Sequence, residues 1–226
     1  MKTLIKVYVL AILIAVTAAS CGKDNYDKPE SHFTGKVTYN GQALGVRGSN
    51  GSVYLQFWQD GYELKTSFNV YVTQDGTYSS MLSDGVYKLV TASGNGPWVS
   101  AQDTVIVTVN GDTQKDYEVT PYYTLSNINY SVSGNTLTAS FDVASVTTDR
   151  AIEYVALMVN KTQFVDFGDG THVNWVRNSE ATPGRVELQL DISNDLANQK
   201  ALYARVGLKI DGVGEGVYDT NVYKIK

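Results

Sequence analysis

The chain has 226 residues, with 18 basic against 23 acidic side chains and a formal charge of −5. That balance, with no basic cluster, argues against nucleic-acid binding, because phosphate backbones are held mainly by Lys and Arg. The single cysteine excludes an internal disulfide, so the fold must rest on its apolar core. Sixteen tyrosines and three tryptophans in a chain only 18% charged suit β-structure and also suit sugar-binding faces. Composition leaves both open.

Residues 1–20 read as an export signal. Lys2 and Lys6 flank the start of an apolar run at 7–16, followed by Thr17, Ala18, Ala19, Ser20 and then Cys21. The run is shorter than the ~20 residues a membrane-spanning helix needs, so it is a processing signal. The segment ending at Cys21 resembles the lipobox of bacterial lipoproteins. The resemblance implies cleavage before Cys21, its lipidation, and a membrane tether; an ordinary secretory signal with an incidental cysteine is the other reading. Gly22, where Asp would mean inner-membrane retention, implies outer-membrane routing. Lys23-Asp24-Asn25-Tyr26-Asp27 resembles the short acidic signals that bring lipoproteins to the cell surface in gut Gram-negative anaerobes. Residues 21–31 are equally a plain solvated tether, too polar to fold.

Residues 32–121 carry regular turn punctuation: Asn40-Gly41, Asn50-Gly51, Asp60-Gly61, Asp75-Gly76, Asp84-Gly85, Asn95-Gly96 and Asn110-Gly111. Asn and Asp tolerate positive φ and Gly favours it, as tight hairpins require. Strands are predicted between them at 33–39, 53–58, 67–72, 77–82, 86–90, 104–109 and 117–122. No stretch shows an apolar repeat at helical period. A second series begins at 122, with its clearest strands at 136–143, 152–159, 185–192, 201–210 and 217–225. Val186, Leu188, Leu190 and Ile192 alternate with polar residues and fall on one buried face. Leu202, Ala204, Val206, Leu208 and Ile210 repeat the pattern, with Tyr203, Arg205 and Lys209 predicted to face water. The unbroken apolar run 154–159 predicts a strand covered on both faces. The expected fold is all-β, two tandem β-sandwich domains, docked because no flexible linker separates them.

The stretches Phe33-Thr34-Gly35-Lys36-Val37-Thr38-Tyr39-Asn40-Gly41-Gln42-Ala43-Leu44, Asp75-Gly76-Thr77-Tyr78 and Asp84-Gly85-Val86-Tyr87-Lys88-Leu89 resemble the carboxypeptidase-regulatory-like, transthyretin-like domain. Leu202-Tyr203-Ala204-Arg205-Val206-Gly207 looks like a late strand of an immunoglobulin or fibronectin type III sandwich. The whole order, from lipobox through the Gly94-Asn95-Gly96-Pro97-Trp98 loop and the Tyr122-Tyr123 junction, is similar to a family of two-domain outer-membrane lipoproteins. Those are encoded beside starch-utilisation-type glycan uptake systems. The resemblance implies a setting in polysaccharide capture and carries no active site.

No residue constellation declares a reaction. Asp166-Phe167-Gly168-Asp169-Gly170 reads as a hairpin turn; as a calcium loop it falls short of ligands even with Thr171. His32 and His172 fall in different domains and are read as exposed surface residues, with no cluster at zinc spacing. Neither a cofactor nor a metal is expected, and neither is an enzyme. The aromatics are the candidates. If Val53, Leu55 and Phe57 face the core, Tyr54, Gln56 and Trp58 face outward, and the Asp60-Gly61 turn brings Tyr62 near. Sugar C–H faces stack on such rings. Trp98 and Asn95, on a loop over a rigid scaffold, form a second glycan-binding candidate. A structural role stays open for both tryptophans, since a Trp beside a domain junction often packs against its neighbour. Trp175 is read as core or partner surface, and Asp103-Thr104-Val105 resembles a short O-glycosylation motif. The expected function is glycan binding within polysaccharide uptake; the alternative is an adhesion module binding protein partners such as the uptake transporter.

Overall fold

The computed structural model describes residues 28–61, 65–100 and 103–226. The predicted export signal, Cys21 and the tether up to residue 27 lie outside them. The described chain is almost entirely β, arranged as two sandwiches in tandem.

The first sandwich contains β1 (Ser31–Tyr39), β2 (Gln42–Ala43), β3 (Tyr54–Gln59), β4 (Phe68–Tyr71), β5 (Thr77–Leu82), β6 (Gly85–Thr91), β7 (Val105–Val109), β8 (Thr113–Gln114) and β9 (Tyr117–Glu118). One sheet runs β2-β1-β5, with β8 and β9 joining β1 in parallel, and the other runs β4-β3-β6-β7. Asn40 and Gly41 adopt φ of 50° and 73° and close β1 onto β2. Two successive positive φ values are what a two-residue hairpin demands. Asn50-Gly51 departs from that expectation. It lies in a 3-10 turn at Ser49–Gly51, on the crossover from one sheet to the other, and joins no strand pair. Between the sheets, the ring of Phe57 meets Phe33 edge-on at 5.3 Å and lies 5.5 Å from Phe68 and 6.4 Å from Tyr87.

The second sandwich contains β10 (Tyr123–Ser133), β11 (Thr136–Ser145), β12 (Ile152–Asn160), β13 (Asn174–Asn178), β14 (Gly184–Asp191), α1 (Ser193–Asn198), β15 (Tyr203–Ile210), β16 (Gly216–Tyr218) and β17 (Tyr223–Lys224). Its sheets are β10-β11-β14 and β13-β12-β15-β16, with β17 also on β15. Two elements lacked a clear sequence signal. Strand β10 is a largely exposed edge strand, interrupted by a bulge between Ser126 and Asn129, so its alternation is blurred. Helix α1 has six residues, too few to show a helical repeat.

Strand β12 is covered on both faces as its apolar run implies. Val155, Leu157 and Val159 join the inter-sheet core, while Tyr154, Ala156 and Met158 pack with Val165 and Tyr218 on the far side. Val186, Leu188, Leu190 and Ile192 are buried together, and so are the five alternating apolar residues from Leu202 to Ile210. Arg205 corrects the expectation for the opposite face: it is 0% exposed. The connection between β12 and β13, together with the first sandwich, covers the side of β15 that alternation alone assigns to water.

Candidate functional site

Strand β3 lies in the middle of the β4-β3-β6-β7 sheet, and its apolar residues Leu55 and Phe57, with Val53 just ahead of it, are fully buried. Tyr54, Gln56 and Trp58 therefore point to the outer face, where each is half-buried. The register with β4 sets Tyr71 opposite Tyr54 and Asn69 opposite Gln56. Both β4 residues are exposed, Tyr71 at 54%. The Tyr54 and Tyr71 rings meet edge-on at 6.0 Å. On the other side of β3, Lys88 pairs in register with Trp58, and its ammonium lies 2.5 Å from the Asp60 carboxylate. The hydrogen bond and charge of Lys88 hold Asp60 below the usual carboxylate range. The outer face thus presents aromatic rings, two amides and an ion pair on a rigid sheet. Flat apolar rings beside amide donors and acceptors match the alternating C–H and hydroxyl faces of a sugar.

The other sequence candidates fall elsewhere. Tyr62 lies outside the described residues. Trp98 is a correction: it is 3% exposed, bridged to Pro121, with its indole tucked beneath Gly96. A side-chain carbon at Gly96 would fall 2.2 Å from that ring, so the loop closes over the tryptophan. Asn95 is occupied structurally. Its Oδ1 accepts from the Tyr54 backbone N–H at 2.8 Å, and its Nδ2 donates to the Ser52 carbonyl at 2.5 Å. Asn95 therefore pins the loop to the start of β3 and positions Tyr54 indirectly. Asn95→Ala should destabilise the fold by about 1–2 kcal/mol, since two backbone groups lose their partner. Urea unfolding of the two proteins checks this.

His172 and the Asp166 side chain also differ from expectation. His32 is exposed, but His172 is half-buried, with its ring 4.7 Å from Trp175 and its Nδ1 3.1 Å from the Asp166 carbonyl. Trp175 packs edge-on to Tyr154 under the Arg177 guanidinium. The run does turn, with Thr171 N donating to the Gly168 carbonyl at 3.2 Å between the antiparallel β12 and β13, but Asp166 lies just ahead of that turn. It sits in the connection from β12 to β13, is 0% exposed, and reaches the first sandwich. Its carboxylate accepts from Ser49 N at 3.2 Å, Ser49 Oγ at 3.0 Å, Gly168 N at 2.8 Å and Thr171 Oγ1 at 2.6 Å, with Arg47 Nε at 3.7 Å. A carboxylate saturated in this way is a structural anchor. Among the described residues, no three His, Cys, Asp or Glu side chains cluster as metal ligands would.

Arg205 completes the seam. Its Nε donates to the Asp219 carbonyl at 2.7 Å and its Nη1 to the Val165 carbonyl at 3.3 Å; its Nη2 reaches Val46 at 3.1 Å and Gln74 at 2.6 Å. The last two carbonyls belong to the first sandwich, so one guanidinium ties both units together. Tyr218 N donates to the Gly45 carbonyl at 3.0 Å across the same seam. Beside these contacts the seam opens into a groove of about 860 Å³, with Tyr71 and Gln74 on one wall and Phe164, Tyr203 and Asn221 on the other.

With both units and their junction defined, the matches to known families align with them. Residues 31–120 match the family described as "Protein of unknown function (DUF3823) N-terminal domain", and residues 123–223 match "Domain of unknown function (DUF3823_C)". The chain belongs to the DUF3823 family. A DUF3823 protein of Parabacteroides merdae is 44% identical, with 88% of this chain and 100% of that one aligned at a TM-score of 0.82. A second, from Bacteroides ovatus, is 34% identical over 87% and 100% of the two chains, at a TM-score of 0.78. A candidate carbohydrate-binding protein of Bacteroides uniformis shares the fold at 20% identity, over 88% and 100%, with a TM-score of 0.69. No curated protein matches the chain.

Proposed function

We propose that this DUF3823 chain is a non-catalytic accessory protein of polysaccharide capture and uptake, lipid-anchored through Cys21 at the outer membrane and exposed at the cell surface. The observation that carries the glycan reading is the outer face of β3 and β4. There Tyr54, Tyr71 and Trp58 are interleaved with Gln56 and Asn69 on a sheet whose opposite face is packed core. Such a face is preorganised, so little side-chain entropy is lost when a sugar stacks on it. The shared fold of the candidate carbohydrate-binding protein from Bacteroides uniformis is a parallel at the level of architecture. The anchoring and routing rest on the lipobox resemblance around Cys21 and the acidic stretch after it.

Native affinity gels containing neutral and anionic polysaccharides test the reading on the chain beginning at Gly22. At least one polysaccharide should retard the protein, and Trp58→Ala should weaken that retention about tenfold, equivalent to ~1.4 kcal/mol, with an unchanged melting curve. Free migration of the wild-type protein through every gel would overturn it.

A second reading has its own observation. Val86 and Ile106, also on the outer face of this sheet, are 52% and 65% exposed. Exposed aliphatics in one neighbourhood favour a protein contact, which fits an adhesion module docked on a partner such as the uptake transporter. Cross-linking on living cells separates the two: only this reading expects Ile106→Ser to abolish a specific adduct while leaving polysaccharide retention intact.

A further inference from the structure

The groove at the seam continues from the outer face through Tyr71, which belongs to both. We propose that this groove is a binding site for a neutral oligosaccharide segment, a deepening that rests on the glycan reading above.

Its volume of about 860 Å³ lies within the ~300–1,000 Å³ of small-molecule sites. Tyr71 and Phe164 line it at 54% and 56% exposure, with Tyr203 half-buried beside them. The exposure of Phe164 is imposed by its surroundings. Its carbonyl accepts from Asn160 Nδ2 at 2.6 Å, and the next two residues, Val165 and Asp166, are 0% exposed. The backbone is therefore held on both sides while the ring is presented to solvent, an arrangement that costs hydrophobic free energy until something covers the ring.

The polar groups of the groove suit hydroxyls. Gln74, Gln163 and Asn221 each bring an amide to the wall. The Gln74 side-chain oxygen is buried and has no hydrogen-bond partner among the described residues, an acceptor that a rotation of the amide would offer to a sugar O–H. The Gln74 backbone cannot retreat, because Arg205 grips its carbonyl.

Charge selects the glycan class. Among the described residues, Asp75 and Lys224 are the only carboxylate and cation lining the groove. Burial raises the Asp75 pKa, but hydrogen bonds from Thr73 and Thr77 outweigh it and hold the carboxyl below its usual range, so it is ionised at neutral pH. Arg205, the nearby guanidinium, is 0% exposed and spends four N–H donors on backbone carbonyls. That leaves Lys224 as the one cation on the described wall, offset by the Asp75 carboxylate and unable to make the bidentate fork that grips a uronate or sulfate. The chain's net negative charge repels polyanions.

The test uses affinity gels of starch, xyloglucan, galactomannan, pectate and heparin, with wild type, Trp58→Ala, Phe164→Ala and Gln163→Ala. The expected result is retention by a neutral polysaccharide, weakened about tenfold by Phe164→Ala and measurably by Gln163→Ala, with free migration in pectate and heparin. Both groove substitutions are at the surface, and unchanged melting curves would confirm folding. Retention that Trp58→Ala weakens but Phe164→Ala and Gln163→Ala leave intact would overturn the groove site and spare the glycan reading. Retention only by pectate or heparin would overturn the neutral class. A wild type retained by none of the five would overturn both.

Discussion

Arg205→Ala is expected to destabilise the folded chain by about 3–5 kcal/mol. Four charge-assisted hydrogen bonds disappear at once, and four carbonyls lose a donor, of which the Gln74 carbonyl keeps the Val46 N–H at 3.2 Å. Such bonds are worth about 1.5–3 kcal/mol each in isolation but do not add when they share one side chain. The guanidinium also stacks 4.7 Å from the Tyr218 ring, so packing is lost with the charge. Because two of the carbonyls, at Val46 and Gln74, belong to the first sandwich, the substitution should also uncouple the units. Denaturant unfolding followed by tryptophan fluorescence and by circular dichroism should show the two probes separating where wild type unfolds in one step. Arg205→Lys should recover little, since a single ammonium cannot span the planar fork of acceptors. A loss under about 1 kcal/mol would refute the assignment of Arg205 as the tie between the sandwiches.

Phe57→Ala should be comparably severe, at about 3–5 kcal/mol. Phe57 is 0% exposed and its ring contacts Phe33, Phe68 and Tyr87, three strands of both sheets. Truncation leaves a cavity that closely packed neighbours fill only in part. In a chain of this size each kcal/mol lowers the melting midpoint by about 2–4 °C, so a drop of roughly 6–20 °C is expected in calorimetry. There is a functional corollary. Phe57 lies between Gln56 and Trp58 on the same strand, so relaxation of β3 into the cavity moves the outward residues. Polysaccharide retention should fall even below the new midpoint, whereas Phe57→Leu should largely preserve both properties.

Local period accounts for what was legible before the structure. The inward set Val53, Leu55 and Phe57 and the outward set Tyr54, Gln56 and Trp58 follow from a side-chain repeat of two, which needs no knowledge of the rest of the chain. The same holds for Val186 to Ile192. Loop residues carry no such period. Asn95 and Trp98 look alike in sequence, both in a Gly-rich loop, yet one caps a strand start and the other is core, because the loop folds back over itself. Tyr71 was readable as a strand residue, but its place beside Tyr54 depends on the register of β3 against β4, which the local pattern of neither strand sets.

The sequence by itself determined the all-β class, the succession of two sandwich units, the core faces of the strands and the exclusion of a disulfide-based fold. Tertiary structure alone decided the seam. Asp166 meets Ser49 across 117 residues and Arg205 meets Val46 across 159, and nothing in either local pattern marks them as buried. The burial of a charged side chain depends on which distant carbonyls and hydroxyls the fold brings to it, since without them desolvation would keep it in water. The groove beside the seam, with Tyr71 on one unit and Phe164 on the other, exists for the same reason: it is the space left where the two units are locked together.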